Sequence, residues 1–504
     1  MCHISNNIFN SITSYKRIGT IYPNRTEVIT MRTTRLILFL VFILILNGCN
    51  SSESTEKVES ETKNELPAIT IIADSEQSLA LFKMEEKNIE EKFGVRLEYH
   101  YPDRMNDNLE DFLFASKKTY DIYMLFPAKI PEYVERDMLL PLDTYINSSK
   151  DIDDILPVYR NLYMKFDGHD YGMVYDGDTH LLFYRKDVFE MYNDEYKAEY
   201  GNNLEPPKTW DEYDRISKFL TKDQDNDGKI DLYGTAIFGG DAKRYIWFAE
   251  RYNSMGGKYF DEEMNPLIQN ELGVKALQDL IDLNDSGATP PNSMYDWIDL
   301  NNAFLHGNLA MVVQWSDTSR FSYDHKNWDS QVENKVGWTQ VPADNPESPR
   351  GGVWIGRVLG ISNQSSHPDK AWEIISYITS KDVSKKALTS KGTINDPFRY
   401  SHFNAVEKGA FPTKEINEEF LNTVKSSLTN PNADLMIPGG WEYMQALDEN
   451  IQKALIHNSS AEEALQQTAA EWNEITQRYG RSVQANHYRQ WLDLLEEVGT
   501  YEME

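Results

Sequence analysis

The chain has 504 residues, 40% of them hydrophobic and 12% aromatic, and its 80 acidic residues outnumber 50 basic ones for a formal charge of −30. A surface this acidic is repelled by polyanions and anionic headgroups, which argues against nucleic acid as a partner and against membrane attachment through a basic patch. Only two cysteines are present, Cys2 and Cys49, so stability has to come from a large apolar core.

Residues 32–49 read as an export signal. Arg32 and Arg35 supply the charged start, 36–46 form an apolar run of about eleven residues, and the small Gly48 stands just before Cys49. That run is too short to span a bilayer as a helix; a stop-transfer helix is the alternative, opposed by the polar stretch that follows. Because Met31 sits immediately before the signal, residues 1–30 are expected to be upstream sequence read from a start codon placed too early. Leu46-Asn47-Gly48-Cys49 resembles the bacterial lipobox. The resemblance implies cleavage before Cys49, lipid on it, and a body held on the extracellular or periplasmic face of the cell membrane. A mature chain of that kind keeps one cysteine and forms no internal disulfide. Residues 50–65 hold almost no apolar side chain and are expected to form a disordered tether of about 20 Å by random-coil scaling.

Order is expected from Leu66 onward. The pattern predicts a strand over 68–73, an amphipathic helix over 78–93, a strand over 96–101, a helix over 109–116, a strand over 120–126 and a helix over 130–136. This strand-helix-strand rhythm points to an α/β layer on a parallel sheet. Further on, helices are predicted over 210–220, 243–255, 273–284 and 297–306, with a strand near 233–238, and the tail is helical over 461–479 and 484–498. No fixed-period repeat is visible, and the length suits two lobes.

One loop carries a chemistry of its own. Asp223-Gln-Asp-Asn-Asp-Gly-Lys-Ile-Asp231 places acidic side chains at loop positions 1, 3, 5 and 9, with Gly228 for the sharp turn and Lys229 at the position that lends a backbone carbonyl. Asp223, Asp225, Asp227, Lys229 and Asp231 are therefore candidate Ca²⁺ ligands. Position 12 is Gly234, so a bidentate carboxylate would have to come from elsewhere. A solvated acidic turn is the alternative; a bound ion would be structural, pinning the preceding helix to the following strand.

Several segments, in this order, resemble the extracellular solute-binding proteins of ATP-driven importers, specifically their carbohydrate-binding group. They are Thr119-Tyr-Asp-Ile-Tyr-Met-Leu-Phe126 with Leu139-Leu-Pro-Leu-Asp143; Asp167-Gly-His-Asp-Tyr-Gly-Met-Val174 with 178–189; Pro206-Pro-Lys-Thr-Trp-Asp-Glu-Tyr213; Ala303-Phe-Leu-His-Gly-Asn-Leu-Ala-Met311; and Gly360-Ile-Ser362 with Pro368-Asp-Lys-Ala-Trp-Glu373. Val174 stands where that family usually has proline. The resemblance implies an α/β, two-lobe periplasmic-binding-protein-like fold of type II, its lobes discontinuous and joined by hinge strands. Lobe 1 would comprise 66–177 and 356–397, lobe 2 would comprise 178–355 and 398–480, and 481–504 would form a C-terminal helix. Crossings are expected near 175–180, 351–356 and 397–401. The implied partners are a carbohydrate and the membrane permeases of an importer, with the protein itself a monomer.

Ligands of open α/β sheets sit at the carboxyl ends of the strands, and a sugar asks for flat apolar faces together with planar polar groups. Positions matching the family's cleft are Asp74, Glu76, Phe126, Asp178, Trp247, Trp315, Trp354, Arg399 and Trp441. Trp247 reads equally well as core, and Trp210, Trp372 and Trp472 read as core. The sequence contains no Gly-x-Ser-x-Gly elbow, His-Glu-x-x-His or phosphate-binding loop, and its ten histidines are scattered. No catalytic cofactor is implied. The alternatives are a secreted glycoside hydrolase working with two of the many carboxylates and a surface scaffold that captures glycans without a transporter.

Overall fold

The computed structural model describes residues 66–504 except 103–112, 114–117, 241, 292–294, 349–350, 405–408, 430–431 and 500–504. The export signal, Cys49, the tether and most of the helix expected over 109–116 lie outside the described residues.

Ile69, Ile71 and Ile72 are fully buried, so β1 (Ala68–Ile72) is apolar on both faces, as a central strand must be. The helix Ala80–Phe93 then leads into β2 (Arg96–His100), and β3 (Ile122–Leu125) follows. β1 pairs in parallel with both. A short hairpin of β4 (Lys165–Phe166) and β5 (His169–Asp170) precedes β6 (Met173–Asp176).

Beyond β6 the chain builds a second sheet from β7 (His180–Arg185), β8 (Met311–Trp315) and β9 (Val336–Gln340), in the order β8-β7-β9 and wholly antiparallel. β10 (Gly352–Val353) leads back to β11 (Arg357–Ile361), which inserts antiparallel between β3 and β6. The first sheet therefore runs β2-β1-β3-β11-β6 and is mixed rather than parallel. Only β1 to β3 obey the local strand-helix-strand rhythm; β11 arrives from a distant part of the chain. β12 (Asn432–Ala433) pairs in parallel with β10.

The second lobe is mostly helical. Thr209 caps Trp210–Phe219 through a capping box with Glu212, Asn270 caps Glu271–Asp285, and Asp296 caps Trp297–Leu305. Gly440–Leu455 and Ala461–Tyr479 pack against each other and against Tyr245–Ser254 and Glu271–Asp285. The stretch near 233–238 is not a regular strand. Tyr233 makes a single parallel bridge to Leu309 beside β8, and Thr235 already donates to the Ala288 carbonyl at 3.1 Å in a loop. Trp210 and Trp472 are core residues, as read from the sequence.

The third passage between lobes comes later than expected. Phe398 and Arg399 stay with the first lobe, where Leu156 N donates to the Phe398 carbonyl at 3.0 Å and Ile155 bridges Arg399. The chain joins the second sheet only with Lys414–Ser427, which packs on β9. The C-terminal helix, Arg481–Gly499, packs against residues 158–163 and against Ala461–Tyr479. Among the described residues no helix is long and apolar enough to cross a membrane.

Candidate functional site

The crossings bring two sheets' strand ends into one seam. Between β6 and β7, Gly177 lies so close to a neighbouring segment that a Cβ there would stand 2.4 Å from the Pro397 carbonyl oxygen. Asp178 (φ 40°) and Ile355 (φ 61°) hold left-handed backbone in the crossings, each at a cost of roughly 1–2 kcal/mol that the surrounding structure must offset.

Arg357, the first residue of β11, organises the floor of the seam. Its Nε and Nη2 donate to the two carboxylate oxygens of Asp74 at 2.9 and 3.0 Å, and its Nη1 donates to Asp176 at 2.8 Å and to Asp178 at 3.4 Å. All four side chains are buried. Ser78 Oγ adds a bond to Asp74 at 2.7 Å. Farther along, Arg320 donates to Asp396 at 3.0 Å and to the Asn395 carbonyl at 2.8 Å, while the Asp396 amide donates to Asp176 at 2.8 Å.

Burial raises the pKa of each of these acids, and the arginines decide how far each rise goes. At Asp74 the bidentate Arg357 outweighs burial and holds the carboxyl below its usual range. Asp176 is pushed up to about 6 by burial, against the pull of Arg357. Burial, with the neighbouring Asp176, drives Asp178 well above the carboxylate range, and burial with Asp396 does the same to Asp317. Asp74 is therefore the most acidic carboxyl of the seam, while Asp176, Asp178 and Asp317 are shifted toward their protonated forms.

Over this floor two aromatic rings meet from opposite lobes. Phe126 directly follows β3, and Trp441 sits in the first turn of Gly440–Leu455; their centroids are 5.8 Å apart at 23°. Gly439, at φ 72°, provides the left-handed turn that starts this helix. Cations surround the pair, with Lys129 Nζ 4.6 Å from the Trp441 ring centre and Lys243 Nζ and the Arg357 guanidinium 5.3 and 5.5 Å from that of Phe126.

One layer behind, at the ends of β7 and β8, Trp247, Trp315 and His180 pack edge to face; Trp315 is 4.4 Å from His180 and 5.9 Å from Trp247. Trp247 stacks on Phe238 at 5.0 Å, and Trp315 Nε1 donates to the Trp354 carbonyl at 3.0 Å. His180 Nδ1 pairs with Glu250 at 2.9 Å, both fully buried. The indole nitrogens of Trp247 and Trp354 find no acceptor among the described residues.

Of the residues read from the sequence, the structure gathers Asp74, Phe126, Asp178 and Trp441 at the seam. Trp247, Trp315 and Trp354 form the wall behind it, each buried, with Trp354 fully so. Glu76 lies on the exposed rim, paired with Lys83 at 2.5 Å, and lines a groove of about 560 Å³ with Asn302 and Trp328. Arg399 is not gathered there. Its guanidinium donates to the carbonyls of Asp151 at 2.8 Å and Thr379 at 2.6 Å, and Asp154 lies 3.8 Å away, so it staples the first lobe internally. A basic residue after an expected crossing reads as a ligand contact; the later crossing explains the difference.

Arg357, Lys243 and Lys129 escaped the sequence reading. Arg357 directly follows the expected crossing at 351–356, and an arginine opening a strand otherwise composed of Val, Leu, Gly and Ile is the signal that was available. Nothing local marked the two lysines, whose roles arise from tertiary placement.

The loop 223–231 is exposed for most of its length. Carboxylate oxygens of Asp223, Asp225 and Asp227 lie within 4.8 Å of one another. Asp223 accepts from the Asp227 and Gly228 amides at 3.1 and 2.8 Å, and Asp231 accepts from the Gln224 amide at 2.7 Å.

The family profile of bacterial extracellular solute-binding proteins matches residues 87–385. A probable amino-acid ABC transporter periplasmic-binding protein of Sinorhizobium fredii is 25% identical over 279 residues, 55% of this chain but only 57% of that relative. An arabinooligosaccharide-binding protein of Bacillus subtilis is 24% identical over 378 residues, 74% of this chain and 81% of the relative. In fold, the chain is similar to a ribitol complex of an ABC transporter solute-binding protein from Agrobacterium radiobacter, with a TM-score of 0.68, 22% identity, and coverage of 82% of this chain and 99% of that one. A maltose-bound protein of T. maritima gives a TM-score of 0.66 at 22% identity, covering 81% and 99%.

Proposed function

The chain belongs to the bacterial extracellular solute-binding proteins, and we propose that it captures a sugar or oligosaccharide between its two lobes and delivers it to the permeases of an ABC-type importer. One observation carries the reading: Phe126 and Trp441, from different lobes, face each other over an ionised Asp74 that Arg357 holds in place. Flat apolar faces and planar charged groups thus converge at the carboxyl ends of the first-lobe strands, the combination that sugar rings and their hydroxyls require. The arabinooligosaccharide-binding relative and the polyol- and maltose-bound neighbours support the class. The work is binding and closure, with no bond made or broken.

Two further assignments belong to this reading. Cys49 carries lipid and tethers the body to the membrane through residues 50–65, supported by the lipobox-like stretch before it. The loop 223–231 holds a structural Ca²⁺, supported by the spacing of its acids and the approach of three carboxylates.

A thermal-shift screen against mono- and oligosaccharides, polyols and amino acids tests the capture reading. Ligand at about a hundred times its dissociation constant adds about 2.7 kcal/mol of stability. A shift confined to carbohydrates, with the ligand recovered intact, is expected; cleavage of the sugar or a shift with amino acids alone would replace it.

A further inference from the structure

Lys243 stands out among the charges at the seam. It immediately precedes Arg244, the N-cap of Tyr245–Ser254, is only 7% exposed, and its side chain makes no hydrogen bond or ion pair with any described residue. Its Nζ lies 5.3 Å from the centre of the Phe126 ring, which is stacked on Trp441. The acids that face it are already engaged by other donors. Asp74 is held by both arms of Arg357 and by Ser78. Asp178 is reached by Arg357 at 3.4 Å, and Asp296 accepts from the Asp299 amide in its own helix cap. Arg357, a like charge, also faces Lys243 and disfavours its ionised form. Burial leads the effects that depress the Lys243 pKa, to about 8, so at neutral pH a desolvated ammonium sits beside the aromatic pair.

A neutral sugar gives no reason for such a group. Its hydroxyls can be met by uncharged donors and acceptors. Asp74, Asp178 and Asp296 offset its charge in part from a distance, yet none of them bonds the ammonium, which leaves it open to an anionic group arriving with the ligand.

We propose that the sugar captured at this seam is anionic, a uronic-acid-type saccharide whose carboxylate is received by Lys243 while its ring lies against Phe126 and Trp441. The inference rests on the sugar-capture reading above. A single carboxylate suits the site better than a phosphate dianion, because ionised Asp74 stands nearby and would repel the second charge.

The test is calorimetric titration of the purified protein with three matched probes, a galacturonate oligomer, the neutral galactose oligomer of the same length, and galactose 6-phosphate. Lys243→Met and Lys243→Arg are measured alongside. Expected is an affinity for the acidic oligomer at least about tenfold above that for the neutral one. Lys243→Met should lose roughly 10- to 100-fold for the acidic oligomer and stay within about threefold for the neutral one, and Lys243→Arg should keep the preference. The melting temperature of unliganded Lys243→Met should hold or rise, since the variant removes a desolvated charge. Stronger binding of galactose 6-phosphate than of galacturonate would retain the anionic ligand and assign phosphate as its source. Equal or tighter binding of the neutral oligomer, or a preference that survives Lys243→Met, would overturn the proposal alone. Binding of none of the three sugars, with a different solute class shifting the protein thermally, would overturn the capture reading itself.

Discussion

Trp315 and Trp441 look alike in the sequence, each beside a turn at the end of an apolar run, yet the structure gives them different work. Trp315 is wedged against His180 and Trp247 with its indole nitrogen bonded to a backbone carbonyl. Trp315→Ala should therefore cost about 3–5 kcal/mol of stability in urea denaturation, as large-to-small core changes do. Trp441 is stacked across the seam, so Trp441→Ala should chiefly cost ligand affinity, by about 1–3 kcal/mol in a titration, with a smaller change in melting. The reverse pattern would move the site away from the Phe126–Trp441 pair. The buried acids add a prediction about pH. Burial pushes Asp176, Asp434 and Asp448 up to about 6 and raises Asp178, Asp317 and Asp396 as well. Between about pH 4 and 7 the folded chain thus binds protons that the unfolded chain releases, and stability rises as pH falls. His402, held neutral by burial, and His100 oppose this, and acids held below their usual range, Asp74, Glu85 and Asp187 among them, oppose it at the acid end of that window, where the unfolded chain takes up protons first. The melting temperature should be higher at pH 5 than at pH 7, and Asp434→Asn should shrink that gain; a lower value at pH 5 would mean the seam acids are ionised.

Elements whose causes are local were legible in the sequence. The Thr209 and Glu212 pair that opens Trp210–Phe219, and the Ser460 and Glu463 pair that opens Ala461–Tyr479, are visible as residue types at fixed spacing, and both boxes form. The antiparallel insertion of β11 into the first sheet was not legible, because its partners β3 and β6 lie far away in sequence and no local pattern encodes the pairing. The same divide runs through the site. Asp74 and Phe126 follow strands that could be read, whereas Lys243 and Arg357 acquire meaning only when the crossings fold together. The loop 223–231 was legible as a spacing, and its element-scale consequence is stabilisation by Ca²⁺. Lys222 N and the Leu232 carbonyl, 2.8 Å apart, close the loop's base, so an ion inside it would tie Trp210–Phe219 to Tyr233. Addition of millimolar Ca²⁺ to chelator-treated protein should raise the melting temperature, and Asp223→Ala with Asp225→Ala should abolish the rise. An identical rise in the double variant would leave the loop a solvated turn.

At the scale of the molecule, the Phe126–Trp441 stack fixes what must move. Each ring needs a contact distance of about 3.5–4.0 Å from a sugar placed between them, and the 5.8 Å between their centroids leaves no space for one. Entry therefore requires the lobes to part, and binding depends on how the population divides between parted and closed forms. The C-terminal helix is placed to bias that division. Its Tyr488 and Trp491 are seated in the second lobe against Phe260 and Tyr259, and Arg481 donates to the Met264 carbonyl at 2.7 Å. On the first lobe, His487 stacks on Phe166 of β4 at 5.2 Å, and Asn161 reaches Glu497 at 3.3 Å. Replacing Phe166 and His487 together by Ala removes the first-lobe grip and leaves the second-lobe seat intact. If these contacts form mainly in the closed arrangement, their loss makes closure costlier, so the unliganded double variant should show a larger radius of gyration by small-angle scattering. Its apparent dissociation constant should rise by the factor by which the closed population falls. If that radius and the affinity both match the parent protein, the helix lies outside the moving seam, and the balance of closure is set by the crossings at Gly177 and Ile355 alone.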